Sequence, residues 1–470
     1  MCSSDLAKID VQNLKPGTVY YYRWVAKDGK LDVVSATGKF QTAFPSSSGE
    51  TFRFFHTGDA DGLMAPYLAS QDLAKQNYNL GIWNGDVIYE TKSKLSGATP
   101  STSDAALGKV SQEALLSAYR AKYVEARQPV VSGGFESLDT LYSSAGQLTT
   151  WDNHELGNAQ DINGGAPASL DLLTGKGTSN TNFDVNTTGT FINKTANFQT
   201  LLKAFVESQP IRNPEIIVAP ADPRSDGTAK LYDVQQWGKN SIVFNLDSRS
   251  YRDVRLTLAN GKDDTGSRAD NPDRTLLGKT QLQWLESNLK TAQDNGVVWK
   301  FINTSDPIDQ IGAVGSGDDG GKSWMGGYRA ERNNLLKFIA DNKITNVVFM
   351  ACDDHQGRIN EVSYVPDPIT NPNGYVTVPR VFSVVTGPIG ATGPDTITDH
   401  SFANINKLAN DLAAKEKAAG VNPIGLAATY PGLFNVWRQG DPNASKNPTP
   451  VDFYSPDTFN YGSFEVTPAG

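Results

Sequence analysis

Only two of the 470 residues are cysteine, Cys2 and Cys352. Two thiols cannot build a disulfide framework and leave the redox compartment undecided. A thiolate zinc site is likewise out of reach. Basic charge is also short: 42 Lys plus Arg stand against 51 Asp plus Glu, a formal net charge of −9, with no basic run. A face that neutralises nucleic-acid phosphates needs clustered Lys and Arg, so no nucleic-acid-binding surface is expected. No apolar stretch approaches the roughly 18 residues of a membrane-spanning helix, and the chain should be soluble. What the sequence has in quantity is Gly (43) and Pro (25), with 20% charged residues, the composition of a loop-rich globular protein of mixed α and β structure.

Three of the four histidines lie in or beside short polar motifs that follow apolar runs: FFHTGDADG, TTWDNHELG and VVFMACDDHQG. GIWNGDVIYE is a fourth junction of the same kind. Each apolar run reads as a buried strand, and ligand-type residues appear where it would end. Such edges are where sites form in layered α/β proteins. The candidates, in order, are Asp59 and Asp61, Asp86 and Tyr89, Asn153 and His154, Asp353 and His355. Carboxylates, an amide oxygen, a phenol and imidazole make an oxygen-rich set suited to ferric iron, calcium, manganese or magnesium. Gly58 and Gly85 precede Asp59 and Asp86 and would let the backbone turn sharply there. Singly, a Gly-Asp after a strand is more often a turn with a capping aspartate, and Asn153 beside His154 more often a satisfied loop pair. Four junctions in this order argue for a metal centre. His400, in TDHSF, stands outside the pattern and reads as a surface or structural residue.

The order and spacing of these motifs resemble the calcineurin-like metallophosphoesterases, and more specifically the alkaline phosphatase D (PhoD-like) family. GDVIYE (85–90) matches that family's GDxIYE, and WDNHE (151–155) is similar to its WDDHE with Asn153 in place of the second aspartate. FNLDSRSYRD (244–253), LLGKTQLQWLESNL (276–289), WMGGYRAERNNLLKFI (324–339) and the terminal YGSFEVTP are further family-like segments, so the resemblance runs from about Phe52 to the C-terminus. It implies an α+β protein, a four-layer αββα sandwich, with a two-metal centre that hydrolyses small phosphate mono- or diesters by a metal-bound hydroxide. It also implies a bacterial protein, secreted or periplasmic, and a monomer is expected.

By resemblance, the metal ligands are Asp59, Asp86 as the bridging residue, Tyr89, Asn153, Asp353 and His355, with His154 as proton donor to the leaving group. Arg249 could hold a substrate oxygen or form a structural salt bridge. Asp61 could contact the second ion or serve only as a turn residue. His56 should face the sheet. Two departures bear on the ions. The family usually has an iron-binding cysteine at the position of Asp59, and neither Cys2 nor Cys352 can fill that role by position. Asp59 with Tyr89 is similar to the ferric site of purple acid phosphatases, which gives an alternative reading as a phosphomonoesterase of that type. The late motif, Asp353-Asp354-His355, resembles the alkaline phosphatase D arrangement, whose second site binds calcium. Iron(III) and calcium are therefore the expected cofactors, with manganese, magnesium and zinc open. A rival reading, a secreted binding protein with structural calcium only, would not need the Tyr or His ligands.

The N-terminal stretch Ile9 to Thr42 alternates apolar and polar residues with turns at Pro16-Gly17 and Asp28-Gly29, giving three short strands. LKPGTVYYYRWVA (14–26) resembles the tyrosine-corner segment of fibronectin type III domains, which need about seven strands. Residues 1–44 are thus expected to be a partial domain of that kind in a truncated sequence, with MCSSDL an adapter-derived tail that leaves the lack of a signal peptide uninformative. Residues 45–50 form a linker and 51–470 the catalytic domain. There, helices are expected over Ala65–Gln76, Ser111–Glu125, Lys194–Ser208, Lys279–Asp294, Ala330–Asn342 and an exposed Asn406–Ala418. Strands are expected over Phe52–Phe55, Leu80–Trp83, Ser241–Leu246, Trp299–Asn303, Asn346–Met350 and Arg380–Val385. Thr91–Lys109 and Asn158–Thr195 read as long insertions, either lids or surface loops.

Overall fold

A computed structural model of the chain describes residues 8–27, 32–106, 108–128, 138–157, 191–253, 267–309, 325–367, 370–371, 373–391, 398–399, 401–421, 424–426, 430, 432–433, 449–456 and 458–470. His400, the Asp28-Gly29 turn and most of the 158–195 insertion lie outside them.

Among the described N-terminal residues there are four strands rather than three. β1 (Val19–Tyr22) pairs antiparallel with β4 (Gly38–Gln41), and β2 (Val25–Lys27) with β3 (Asp32–Val34). Two-stranded ladders cover little of each other's surface, and Tyr21 and Val33 remain 72% and 63% exposed. Phe44, just beyond, is buried edge-on against Trp237, which ties this piece to the main body.

The main body holds two sheets. In the smaller, β15 (Gly462–Val466), β5 (Phe52–Thr57), β6 (Leu80–Asn84) and β7 (Gly146–Thr150) lie side by side, with β5, β6 and β7 parallel. The larger has the order β14-β12-β13-β11-β10-β9-β8, where β8 is Asp233–Trp237, β9 Ser241–Asn245, β10 Trp299–Asn303, β11 Val347–Ala351, β12 Gly357–Tyr364, β13 Val376–Val385 and β14 Tyr454–Ser455. Its central strands β9, β10, β11 and β13 are parallel. All five residues of β6, β10 and β11 are buried, as expected of parallel strands covered on both faces.

One buried cluster joins the two sheets: Phe52, Phe54 and Ile82 of the smaller meet Val243, Phe301, Met350 and Phe382 of the larger. Phe54 stacks on Phe464 at 4.6 Å and meets Phe301 edge-on at 4.8 Å. On the far side of the smaller sheet, Phe55 and Trp83 pack with α1 (Leu68–Lys75), α3 (Gln112–Glu125), α4 (Leu138–Ser144) and α5 (Ala196–Ser208). On the far side of the larger, Phe244, Ile302 and Phe349 pack with α6 (Lys279–Asp294) and α7 (Arg329–Asp341). The local signals that start these helices are ordinary ones. Ser111 caps α3 by accepting from the Ala114 amide, and Leu285, Leu289 and Ala292 form the buried stripe of α6.

Differences from expectation have local causes. α1 begins at Leu68 rather than Ala65, because Pro66 disfavours helical backbone before it. The 91–109 insertion contains a short helix, α2 (Thr102–Ala106). The last helix, α8 (Phe402–Ala419), is longer than expected, capped by Ser401 and ended by Gly420 at φ 81°. One edge of α8 is not exposed: Ala409 and Leu412 pack on Ile424, Phe453 and Tyr454. No helix among the described residues is long and apolar enough to cross a membrane.

Strand-end asparagines link the sheets beneath the parallel edges. Asn84 Nδ2 (β6) donates to Asn303 Oδ1 (β10), Asn303 Nδ2 donates to Asn245 Oδ1 (β9), and Asn245 Nδ2 donates to the Thr149 carbonyl (β7). His56 joins this relay, with Nε2 2.9 Å from Asn303 Oδ1 and Nδ1 2.6 Å from Thr386 Oγ1. Because the Asn303 amide nitrogen is used on Asn245, its oxygen faces His56, which assigns the proton to Nε2. His56 thus faces the space between the sheets, as expected.

Candidate metal centre

The four sequence junctions converge at the C-terminal ends of the parallel strands: Asp59 after β5, Asp86 after β6, Asn153 and His154 after β7, and Asp353 and His355 after β11. The sharp turns are made largely by the polar residues themselves. Asp59, Asp86, Asp353 and His355 all have positive φ, between 49° and 60°. Non-glycine residues rarely hold this conformation, and its concentration here is characteristic of a functional site. Gly85 (φ 78°) bears out its expected role: a Cβ there would lie 2.5 Å from the Asp152 Cβ. Gly58 does not have positive φ; it is needed for closeness, since a Cβ would come within 3.0 Å of the Cys352 sulfur.

Two groups of donor atoms result. One ligand atom each from Asp59, Asp86 and His355 lie within 4.8 Å of one another, and so do atoms of Asp86, Asp152 and Asp353. Asp86 belongs to both. Around the first group, His355 Nε2 is 3.8 Å from Asp59 Oδ1 and 3.1 Å from the Tyr89 hydroxyl. Around the second, Asn153 Oδ1 lies 3.4 Å from Arg249 Nη2. His154 stands over both: its backbone N–H donates to Asp86 Oδ1 at 3.1 Å, its Nε2 is 3.9 Å from Asp86 Oδ2, and its ring stacks on Tyr89 with centroids 3.8 Å apart. Asp61 takes the turn role, accepting from the Leu63 amide at 2.9 Å.

The electrostatics are those of acids crowded in a dry place. Burial, then the neighbouring Asp86 and Asp353, drives the Asp59 carboxyl well above its ordinary pKa, and burial raises Asp86 and Asp152 too. Burial followed by the same carboxylates pushes the Tyr89 phenol up. Burial alone would lower His154, but Asp86 and the Glu90 hydrogen bond raise it to about 9. Asp59 Oδ2 and Asp152 Oδ2 are buried without a hydrogen-bond partner among the described residues. Buried orphan carboxylate oxygens are costly unless something positive meets them. The donor set of carboxylates, phenol, imidazole and amide oxygen fits hard or borderline cations.

Three participants were not singled out from the sequence. Asp152, the first acid of WDNHE and the neighbour of Asn153, makes up the second group with Asp86 and Asp353. Glu155 accepts from the backbone N–H groups of Asp86, Val87 and Asp152 at 3.0, 2.6 and 2.7 Å, and so pins two ligand loops together. Glu90 holds His154. All three lie inside motifs the sequence did flag, but their neighbours there drew the chemical argument. Cys352 is buried at the end of β11; burial, then Asp59, holds its thiol well above the usual range.

The profile of the PhoD-like phosphatases matches residues 46–425, and the chain belongs to that family. It is 27% identical over 358 residues to alkaline phosphatase D of Bacillus subtilis (strain 168), a match spanning 74% of this chain and 52% of the relative, so the chain spans about half the length of that curated protein. Its fold is similar to a solved structure of PhoD, with a TM-score of 0.62 at 20% identity, over 97% of this chain and 70% of the other.

Proposed function

We propose that the chain is a metal-dependent hydrolase of small phosphate mono- or diesters, of the alkaline phosphatase D type. The observation that carries this reading is that Asp86 belongs to both donor groups, as a residue joining two cations would. Asp59, Asp86, Tyr89 and His355 would hold the first ion, for which we favour iron(III). Asp86, Asn153 and Asp353, joined by Asp152, would hold the second, for which calcium suits the oxygen donors, with manganese, magnesium or zinc as substitutes. Such ions, when bound, acidify a water and neutralise phosphoryl charge. The protein's own groups do the rest. Glu155 keeps the loops of Asp86 and Asp152 together. Glu90 fixes Nδ1 of His154, so that Nε2 faces the centre and can give a proton to the departing alcohol.

The two sheets with helical clusters on their outer faces support a four-layer αββα arrangement over residues 51–470, preceded by a linker at 45–50 and a partial fibronectin type III-like piece at 1–44. Bacterial secretion or a periplasmic location, and a monomeric state, belong to the same reading. Asp59 and Tyr89 beside His355 favour a second reading, a purple acid phosphatase-like phosphomonoesterase. Metal analysis with a panel of phosphomonoesters and phosphodiesters decides. Two ions per chain with diester hydrolysis support the first reading; monoester hydrolysis alone supports the second; no hydrolysis with the ions bound defeats both.

A further inference from the structure

Arg249 is a buried cation placed on the oxygens of the second donor group. Its side chain is fully enclosed, and its Nη2 is paired with Asp152 Oδ1. The same nitrogen has Asn153 Oδ1 at 3.4 Å, Asp306 Oδ1 at 3.5 Å and Asp353 Oδ2 at 3.6 Å. Meanwhile Nε and Nη1 are buried without a partner among the described residues. A guanidinium that serves a salt bridge normally presents its planar fork, with two nitrogens to one carboxylate. Here one nitrogen gathers four oxygens while the rest of the fork goes unused. That is how a small cation is surrounded.

Two of those four oxygens belong to Asp152 and Asp353, which with Asp86 make up the second group. We infer that Arg249 competes with the second cation for Asp152 and Asp353 and so sets how weakly that ion is held. This rests on the two-ion reading above. An ion on those carboxylates must lie beside Nη2, and like charges in a buried place repel strongly. Either the two share the oxygens at reduced affinity, or the guanidinium withdraws as the ion enters. The opposition is reciprocal by linkage. Its use is also clear: Asp86, Asp152, Asp306 and Asp353 are packed together, and a resident positive charge lets the edge fold before the ion arrives. The second ion then becomes the exchangeable one.

The test uses the full chain stripped by chelator and titrated with calcium alone by calorimetry, alongside thermal melts with and without calcium. Arg249→Met, which keeps length but not charge, should bind the second equivalent at least about tenfold more tightly than wild type, the effect of removing a near like charge. Its Tm should rise more on adding calcium than that of wild type, and Arg249→Lys should fall between. The gain should vanish in Arg249→Met combined with Asp152→Asn. If wild type takes two equivalents and Arg249→Met binds the second no more tightly, or loses it, Arg249 is not a competitor, although the two-ion reading stands. One equivalent in wild type and two in Arg249→Met supports the competition outright. One equivalent in both supports the inference if Arg249→Met holds it at least about tenfold more tightly and overturns it if not; either way the two-ion reading stands, because a first site that takes iron(III) need not take calcium. Should Arg249→Met fail to fold without calcium, cooperative melting restored by calcium supports the inference, and failure to restore it, with Arg249→Lys matching wild-type affinity, overturns it.

Discussion

Glu90 Oε2 lies 2.6 Å from Nδ1 of His154. The two residues come from different strand-end loops, and the contact leaves only Nε2 of the imidazole facing the carboxylates of the centre. An imidazole held in this way can donate a proton at a defined point, and that is a different task from holding an ion.

Substitutions at positions 153 and 154 should therefore fail differently. His154→Ala should retain both ions and lose roughly 100- to 10,000-fold in rate on esters with poor leaving groups, the range a positioned acid supplies. The loss should shrink on nitrophenyl esters, whose leaving group departs without a proton. Glu90→Gln should show the same leaving-group dependence at roughly 10- to 100-fold. Asn153→Ala should instead weaken second-ion binding, with rate partly restored by excess metal. Equal damage to His154→Ala on both ester types, or loss of metal from it, would remove His154 as the acid.

Asp86→Asn removes charge from both donor groups at once. The expected result is a folded protein with reduced metal content and hydrolysis largely abolished, checked by circular dichroism, elemental analysis and turnover. Wild-type turnover with full metal content would show that Asp86 joins nothing.

Tyr89 offers a spectroscopic check on the first ion. A phenolate bound to ferric iron gives a visible charge-transfer band, which Tyr89→Phe should bleach. A colourless, fully active wild type loaded with manganese or calcium alone would mean that Asp59, in place of the family's cysteine, has changed the metal.

His56 predicts a stability loss in acid. Burial holds its imidazole down at about 4, against the ordinary 6.5, although the Asn303 hydrogen bond works the other way. Between those two values the unfolded chain binds the proton and the folded chain does not, so stability is full above about 6.5 and falls as pH drops toward 4. The span corresponds to about 3 kcal/mol. In urea unfolding, the stability advantage of wild type over His56→Gln should shrink by about that amount from pH 7 to pH 4. An unchanged difference would mean that His56 is charged, or wet, in the fold.

What the sequence determined was local. Apolar runs such as Val347–Met350 ending in Asp353-Asp354-His355 carry strand, edge and ligand type within ten residues, and the helices expected over Ser111–Glu125, Lys194–Ser208, Lys279–Asp294 and Ala330–Asn342 agree with α3, α5, α6 and α7 nearly to their ends. Family motifs of the same short range led to Asp59, Asp86, Tyr89, Asn153, His154, Asp353 and His355, which the fold places along one edge. Tertiary structure alone decided which atoms meet. That Asp152 meets Asp86 and Asp353 depends on how the chain after β7 turns over Gly85, and that Glu155 clamps the Asp86 loop depends on β6 and β7 lying parallel. Arg249 read from sequence as a structural salt bridge before a substrate contact, because a sequence shows its charge but not the four oxygens drawn around one of its nitrogens from the loops after β7, β10 and β11. Those neighbours are separated by up to half the chain, and no local pattern encodes a distance that only the packing of two sheets sets.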